Sequence, residues 1–179
     1  HFGQELVVVR KGATPAFPGQ RGFVGGSMGD DAVILEGTSL GMFHERTGNP
    51  NISISYNSNA VNAITNRQTE SLYSTVHGAG RVMSRTAAAG KRDRKTGQLK
   101  RNKITGEIIN AGLISPQEME KWLRSTGVVL RGGGLDEAPQ AYRRLPDVLA
   151  AQGDTVTVLH PLKPIIVVRA GSHAFDPYK

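Results

Sequence analysis

The sequence predicts a mixed α+β fold: short, mostly buried strands in packed β-sheets, with a few helices flanking them. Three observations predict it. Short β-branched apolar runs recur along the chain, as in Leu6-Val7-Val8-Val9, Ala32-Val33-Ile34-Leu35 and Ile165-Ile166-Val167-Val168. Ser115 to Gly127 carries complete helix start and stop signals. The 22 glycines in 179 residues demand many tight turns, or backbone kept clear for a ligand.

Composition sets further bounds. At 38% hydrophobic and 21% charged the chain is globular, and its length suits one domain. There is no cysteine, which excludes disulfides and thiolate–metal sites and fits a reducing, cytoplasmic setting. No apolar run approaches the ~18–20 residues of a bilayer span, so no membrane partner is expected. The net charge of +7 favours polyanionic partners. The first residue is His1 and not Met, so the chain is expected to be a processed or excised piece of something longer.

In order, Leu6–Val9 reads as a buried strand running into Arg10-Lys11-Gly12-Ala13-Thr14, where two cations could face an anion or simply end a solvated strand. Gly22 to Gly29 reads as a glycine-rich turn. Ala32–Leu35 is the next strand. Residues 38–70 are rich in Asn, Ser, Thr and Gly and predict an elaborated surface loop, with one half-exposed strand over Ile52–Tyr56. His44-Glu45 within it lacks the second histidine of a zinc motif.

Strand-forming residues then lead into Ser74-Thr75-Val76-His77-Gly78-Ala79-Gly80-Arg81. A single imidazole is followed by three residues with almost no side chain and a guanidinium. Such a turn offers N–H groups to an anion, and Arg81 could add a forked contact to a phosphate. Taken alone the stretch also fits a plain turn with a structural histidine. A short helix through Ala87-Ala88-Ala89 ends at Gly90. Residues 91–110 hold seven basic against two acidic residues, five of the chain's seven net charges. The segment predicts an exposed hairpin or loop, either touching a phosphate backbone or merely solvated. Its two Thr-Gly turns resemble each other.

Ser115-Pro116-Gln117-Glu118 forms a capping box for a helix whose Met119, Trp122 and Leu123 share one apolar face. Val128–Leu130 is a strand. A helix is predicted from Leu135 onward, with Tyr142 near its start and Pro146 kinking or dividing it. Thr155–His160 and Ile165–Arg169 are two more strands, and 171–179 is a loose tail.

Four of these pieces occur in one order: Arg10-Lys11-Gly12-Ala13-Thr14, Gly26-Ser27-Met28-Gly29, His77-Gly78-Ala79-Gly80-Arg81 with Met83-Ser84-Arg85, and Glu137-Ala138-Pro139 before Tyr142. That order resembles the C-terminal half of RtcB-type RNA ligases. The resemblance covers residues 1–170, with 38–70 and 91–114 as variable insertions. It implies an RtcB-like fold and GTP-dependent joining of a 3′-phosphate or 2′,3′-cyclic phosphate RNA end to a 5′-hydroxyl end, as in tRNA splicing and RNA repair. It implies that His77 forms a covalent phosphoramidate with GMP. Gly78, Ala79 and Gly80 would border the GMP, Gly25, Gly26, Ser27 and Met28 the guanine side, with Tyr142 flanking the base. Arg169 stands where the family often has a guanine-contacting lysine, and Ala32 replaces a polar residue.

The family's Mn2+ ligands, an aspartate, a cysteine and histidines, fall upstream of this chain. Among His1, His44, His77, His160 and His173 no metal-ligand spacing is present, so no metal ligand is assigned. The expected partners are RNA with those ends and the N-terminal remainder of the ligase. A non-catalytic nucleotide- or RNA-binding module of the same fold is the alternative.

Overall fold

The computed structural model describes residues 3–39, 58–93 and 96–170. They form seven short strands, four α-helices and three 3-10 turns, the mixed α+β composition expected. The expected strand over Ile52–Tyr56, His1, His44 and the tail lie outside the described residues. Two compact units are built from interleaved segments: the described parts of His1–Gly25, Ala32–Gly78 and Pro146–Leu162 in the first, and of Gly26–Asp31, Ala79–Leu145 and Lys163–Lys179 in the second.

In the first unit, β1 (Ala13–Pro15) pairs antiparallel with β4 (Ser74–Val76), Ala13 facing Val76. A second sheet has the order β2-β3-β6, all antiparallel, from Arg21–Val24, Ala32–Gly37 and Val156–Leu162. Its central strand β3 buries Val33 and Leu35, as the apolar run predicted. Gly37 packs where a Cβ would fall on the Ala16 and Phe17 carbonyls.

Three expectations in this unit are corrected. Leu6–Val9 is not a buried strand: no strand forms there, and Val7 and Val9 are 95% and 89% exposed. The strand is three residues long and lies further on, at β1, where β4 offers a pairing edge. Residues 38–70 are not all loop: α1 spans Ser58–Glu70. Its Asn and Thr content gives weak intrinsic helix propensity, and tertiary contacts supply the rest. Ile64 is buried, and the buried Gln68 amide donates to the Thr38 and Thr155 carbonyls at 2.9 and 3.0 Å. Finally, Arg21–Val24 is strand, so only Gly25 onward turns.

In the second unit, α2 (Arg85–Ala89) is capped by Ser84 and stopped by Gly90. The helix α3 (Pro116–Thr126) has the predicted capping box and a left-handed Gly127 at its end. The parallel pair β5 (Val129–Arg131) and β7 (Ile166–Val168) completes the frame. The core joins Met28, Ala88, Ile114, Met119, Ala138 and Ala141, with Leu123 and Tyr142 against it. The helix expected from Leu135 is replaced by two 3-10 turns, Leu135–Glu137 and Pro139–Ala141. The true helix, α4 (Leu145–Gln152), begins at Leu145 of this unit and continues in the first, so Pro146 sits in its first turn, where a missing N–H costs nothing, and does not kink it.

Candidate functional site

The predicted residues fall in both units. In the first, β4 ends at Val76 and delivers His77 to the surface, where its side chain is exposed. Continuing the β1–β4 register sets Gly12 across from His77. A Cβ built on Gly12 would stand 3.8 Å from His77 Cδ2 and 3.9 Å from Nε2, so the Nε2 edge of the ring lies over bare backbone. Gly12 has φ +77°, the left-handed region where glycine is favoured. Gly78 bridges Gly25 in parallel, and a Cβ on Gly78 would crowd the Gly25 carbonyl at 3.2 Å. Thus Gly12, Gly25, His77 and Gly78 come together, all from glycine-marked stretches. Neither ring nitrogen of His77 is spent on a hydrogen bond to a described residue.

The two cations before Gly12 divide their work. Arg10 donates to Ser74 Oγ and the Leu72 carbonyl, both at 2.9 Å, and lies over the Phe17 ring. It holds the turn in which Leu72 and Tyr73 take positive φ. Lys11 is exposed, with no partner among the described residues.

In the second unit, Gly26, Ser27 and Met28 belong to a tightly held loop. Met28 is 1% exposed and plugs the core. The buried Ser27 hydroxyl donates to Asp30 Oδ2 at 3.2 Å. Trp122 Nε1 donates to the Met28 carbonyl at 2.8 Å. Arg144 grips Asp30 with two nitrogens, Nη2 at 2.7 Å from Oδ1 and Nε at 3.1 Å from Oδ2, and stacks 4.4 Å above the Trp122 ring. Gly29 has φ +84°, and a Cβ there would press on Thr126 Oγ1 and Trp122 Nε1 at 2.7 and 2.8 Å. Sequence reasoning placed Trp122 in the core but missed this clamp of Asp30, Trp122 and Arg144. A carboxylate directly after a glycine turn was the one available signal.

Gly80, Tyr142 and Arg169 belong to a second feature of this unit, and Ala79 is buried. Arg81 bridges Tyr142, and Arg143 N donates to the Gly80 carbonyl. The Arg81 guanidinium does not point to solvent to await an anion. It donates to the Met83 carbonyl, the Tyr142 hydroxyl and the Asp136 carbonyl at 3.1, 2.9 and 2.6 Å. The Tyr142 hydroxyl donates to Glu137 Oε2 at 2.6 Å, and Arg85 pairs with both Asp136 and Glu137. Arg169 Nη1 lies 3.5 Å from Glu137 Oε2, and its Cβ and the Met28 methyl both border Gly133. Burial, then the hydrogen bond to Glu137, push the Tyr142 phenol above its ordinary value. Three guanidiniums thus share two carboxylates, and the cluster carries net positive charge.

Among the described residues no group of three or more His, Asp or Glu side chains is placed to hold a metal ion. Nor is any helix among them long and apolar enough to cross a membrane.

The family model for the tRNA-splicing ligase RtcB matches residues 52–170. The chain belongs to the RtcB family. It is 33% identical over 172 residues to the RNA-splicing ligase RtcB of Escherichia coli K12, covering 94% of this chain and 29% of that protein. It is 31% identical to the RNA-splicing ligase RtcB homolog 1 of Entamoeba dispar, over 92% of this chain and 25% of that protein. The tRNA-splicing ligase RtcB of Pyrococcus horikoshii is 27% identical, over 92% and 16%. The chain therefore spans less than a third of the length of these RtcB relatives.

Proposed function

We propose that residues 1–170 are the C-terminal portion of a GTP-dependent RNA ligase, and that His77 is its nucleophile. The observation that carries this reading is the exposed imidazole whose Nε2 edge lies over Gly12, beside the Gly25–Gly78 bridge. Bared backbone of this kind lets a phosphate come within bonding distance of a ring nitrogen, and Lys11 adds positive charge next to it.

In the proposed reaction a ring nitrogen of His77 attacks the α-phosphorus of GTP. A P–N bond forms, the bond to the β-phosphate oxygen breaks, and pyrophosphate leaves. An oxygen of the RNA 3′-phosphate then attacks the same phosphorus, breaking the P–N bond and returning the imidazole. The 5′-hydroxyl next attacks the activated RNA phosphate, and GMP departs. A cyclic end is first opened by water. The family resemblance, and not the placement of the two units, assigns Gly78, Ala79 and Gly80 to the GMP, Gly25, Gly26, Ser27 and Met28 to the guanine side, and Tyr142 and Arg169 to the base. The ligands for Mn2+ belong to the N-terminal remainder of the ligase, and the working compartment is the cytoplasm.

The test is incubation of the chain, with the upstream region of a family member supplied, in α-labelled GTP and Mn2+. Label bound to His77, acid-labile and alkali-stable, is the expected result. No label, with nucleotide binding retained, overturns the ligase and leaves a non-catalytic binding module.

A further inference from the structure

Residues 91–108 are two copies of one nine-residue unit. Lys91-Arg92-Asp93 returns as Lys100-Arg101-Asn102, and Thr96-Gly97-Gln98-Leu99 as Thr105-Gly106-Glu107-Ile108. Among the described residues the bonding repeats with the sequence. Arg92 bridges Leu99 and Arg101 bridges Ile108. In each copy the arginine Nη1 donates across its own turn, to the Gly97 or Gly106 carbonyl, at 2.9 Å both times. The next side chain, Asp93 or Asn102, accepts a backbone N–H through its Oδ1. Gly97 and Gly106 take φ of +71° and +73°. Each loop also closes at its root: Lys100 N donates to the Lys91 carbonyl at 2.7 Å, and Ile109 N to the Lys100 carbonyl at 3.0 Å.

This internal bonding spends Arg92 and Arg101 and leaves the described lysines over. Lys91, Lys100 and Lys103 have no acidic partner among the described residues. Residues 101–108 are all exposed, as is Lys91, while Lys100 is half-buried. No Phe, Tyr or Trp occurs between 91 and 114, so the segment has no platform on which an unpaired base could stack. What remains is a stiff support presenting ammonium point charges. That chemistry suits a regular array of phosphates approached from outside, as on a double helix.

We propose that this tandem hairpin is an RNA-docking surface that grips the phosphate backbone of a base-paired segment without reading its sequence. The choice of RNA rests on the ligase reading above; the choice of a paired segment rests on the hairpins.

The experiment measures fluorescence anisotropy of the full chain with an RNA stem and with a single strand of equal length, across a salt series. The wild type is expected to favour the stem. Lys91→Gln, Lys100→Gln and Lys103→Gln together should weaken stem binding about tenfold and lower the salt slope by about 2 to 3, near one unit per phosphate contact. The same variant should keep its thermal midpoint and should still accept GMP when the upstream region is supplied. An unchanged slope, an equal or greater affinity for the single strand, or no RNA binding by the wild type overturns the proposal. If label still reaches His77 in that event, the docking surface fails and the ligase stands. Loss of label with stem binding intact is the reverse case.

Discussion

The His77 turn and the Ser27–Met28 loop look alike as sequence, each a small polar or apolar residue set among glycines, yet their glycines do opposite work. Around His77 they hold side chains away. Gly12 leaves open backbone under the Nε2 edge, and a Cβ on Gly80 would meet nothing within 4 Å. Around Met28 they admit side chains. Gly29 accommodates Trp122 and Thr126 at distances no Cβ would tolerate, and Gly26 sits on Asp30. The first arrangement leaves an imidazole exposed. The second locks a loop into the core and ties up the Ser27 hydroxyl, the Met28 carbonyl and the Asp30 carboxylate.

The comparison breaks if the His77 side proves structural. His77→Ala should abolish covalent GMP completely while leaving the thermal midpoint within a degree or two, because the ring is exposed and makes no hydrogen bond to a described residue. Mass spectrometry of the labelled protein checks the first part and calorimetry the second; retained label, or a large fall in midpoint, ends the argument. Met28→Ala should cost stability, about 2–5 kcal/mol in denaturant unfolding through the cavity it opens.

Two smaller effects sharpen the contrast. Gly29→Ala should cost more stability than Gly80→Ala. Both take positive φ, worth about 1–2 kcal/mol against a Cβ, but only Gly29 adds a clash. Equal losses in parallel denaturation curves would mean that the Trp122 side yields freely. Asp30→Asn should loosen the loop by about 1–2 kcal/mol, a figure reduced because Arg144 is half-exposed.

The smallest effect belongs to the α3 capping box. The Ser115 N–H, and then its hydroxyl, hold the Glu118 carboxyl below its ordinary value. A depressed folded value means stability present above the unfolded carboxylate range and lost as pH falls through the folded value. Ser115→Ala should therefore unfold earlier than wild type at neutral pH, and the gap should narrow on acidification without closing, because the wild-type hydroxyl still accepts the Glu118 N–H. A gap that widens in acid would contradict the cap.

These contrasts also explain what was legible in the sequence. The capping box, the strand Ala32–Leu35 and the Gly90 stop were readable because their signals are local. Leu6–Val9 misled because an apolar run states a preference for burial without saying whether a pairing edge is within reach. The helix Ser58–Glu70 was invisible because it depends on Gln68 bonding carbonyls thirty and eighty-seven residues away. At the candidate site, His77 and its glycines stood out by composition. The clamp on Asp30 did not, since Trp122 and Arg144 are remote in sequence, and nothing in Arg81 itself says that its guanidinium turns inward.

The root bonds of the tandem hairpin carry one more consequence. Each loop begins and ends on the same ladder, so the ladder needs only that residues nine apart meet. Gain or loss of a whole copy by slippage during replication leaves Gly90 and Asn110 at the same junction. Any other length change throws the ladder out of step. The length of this arm would therefore change in steps of nine residues.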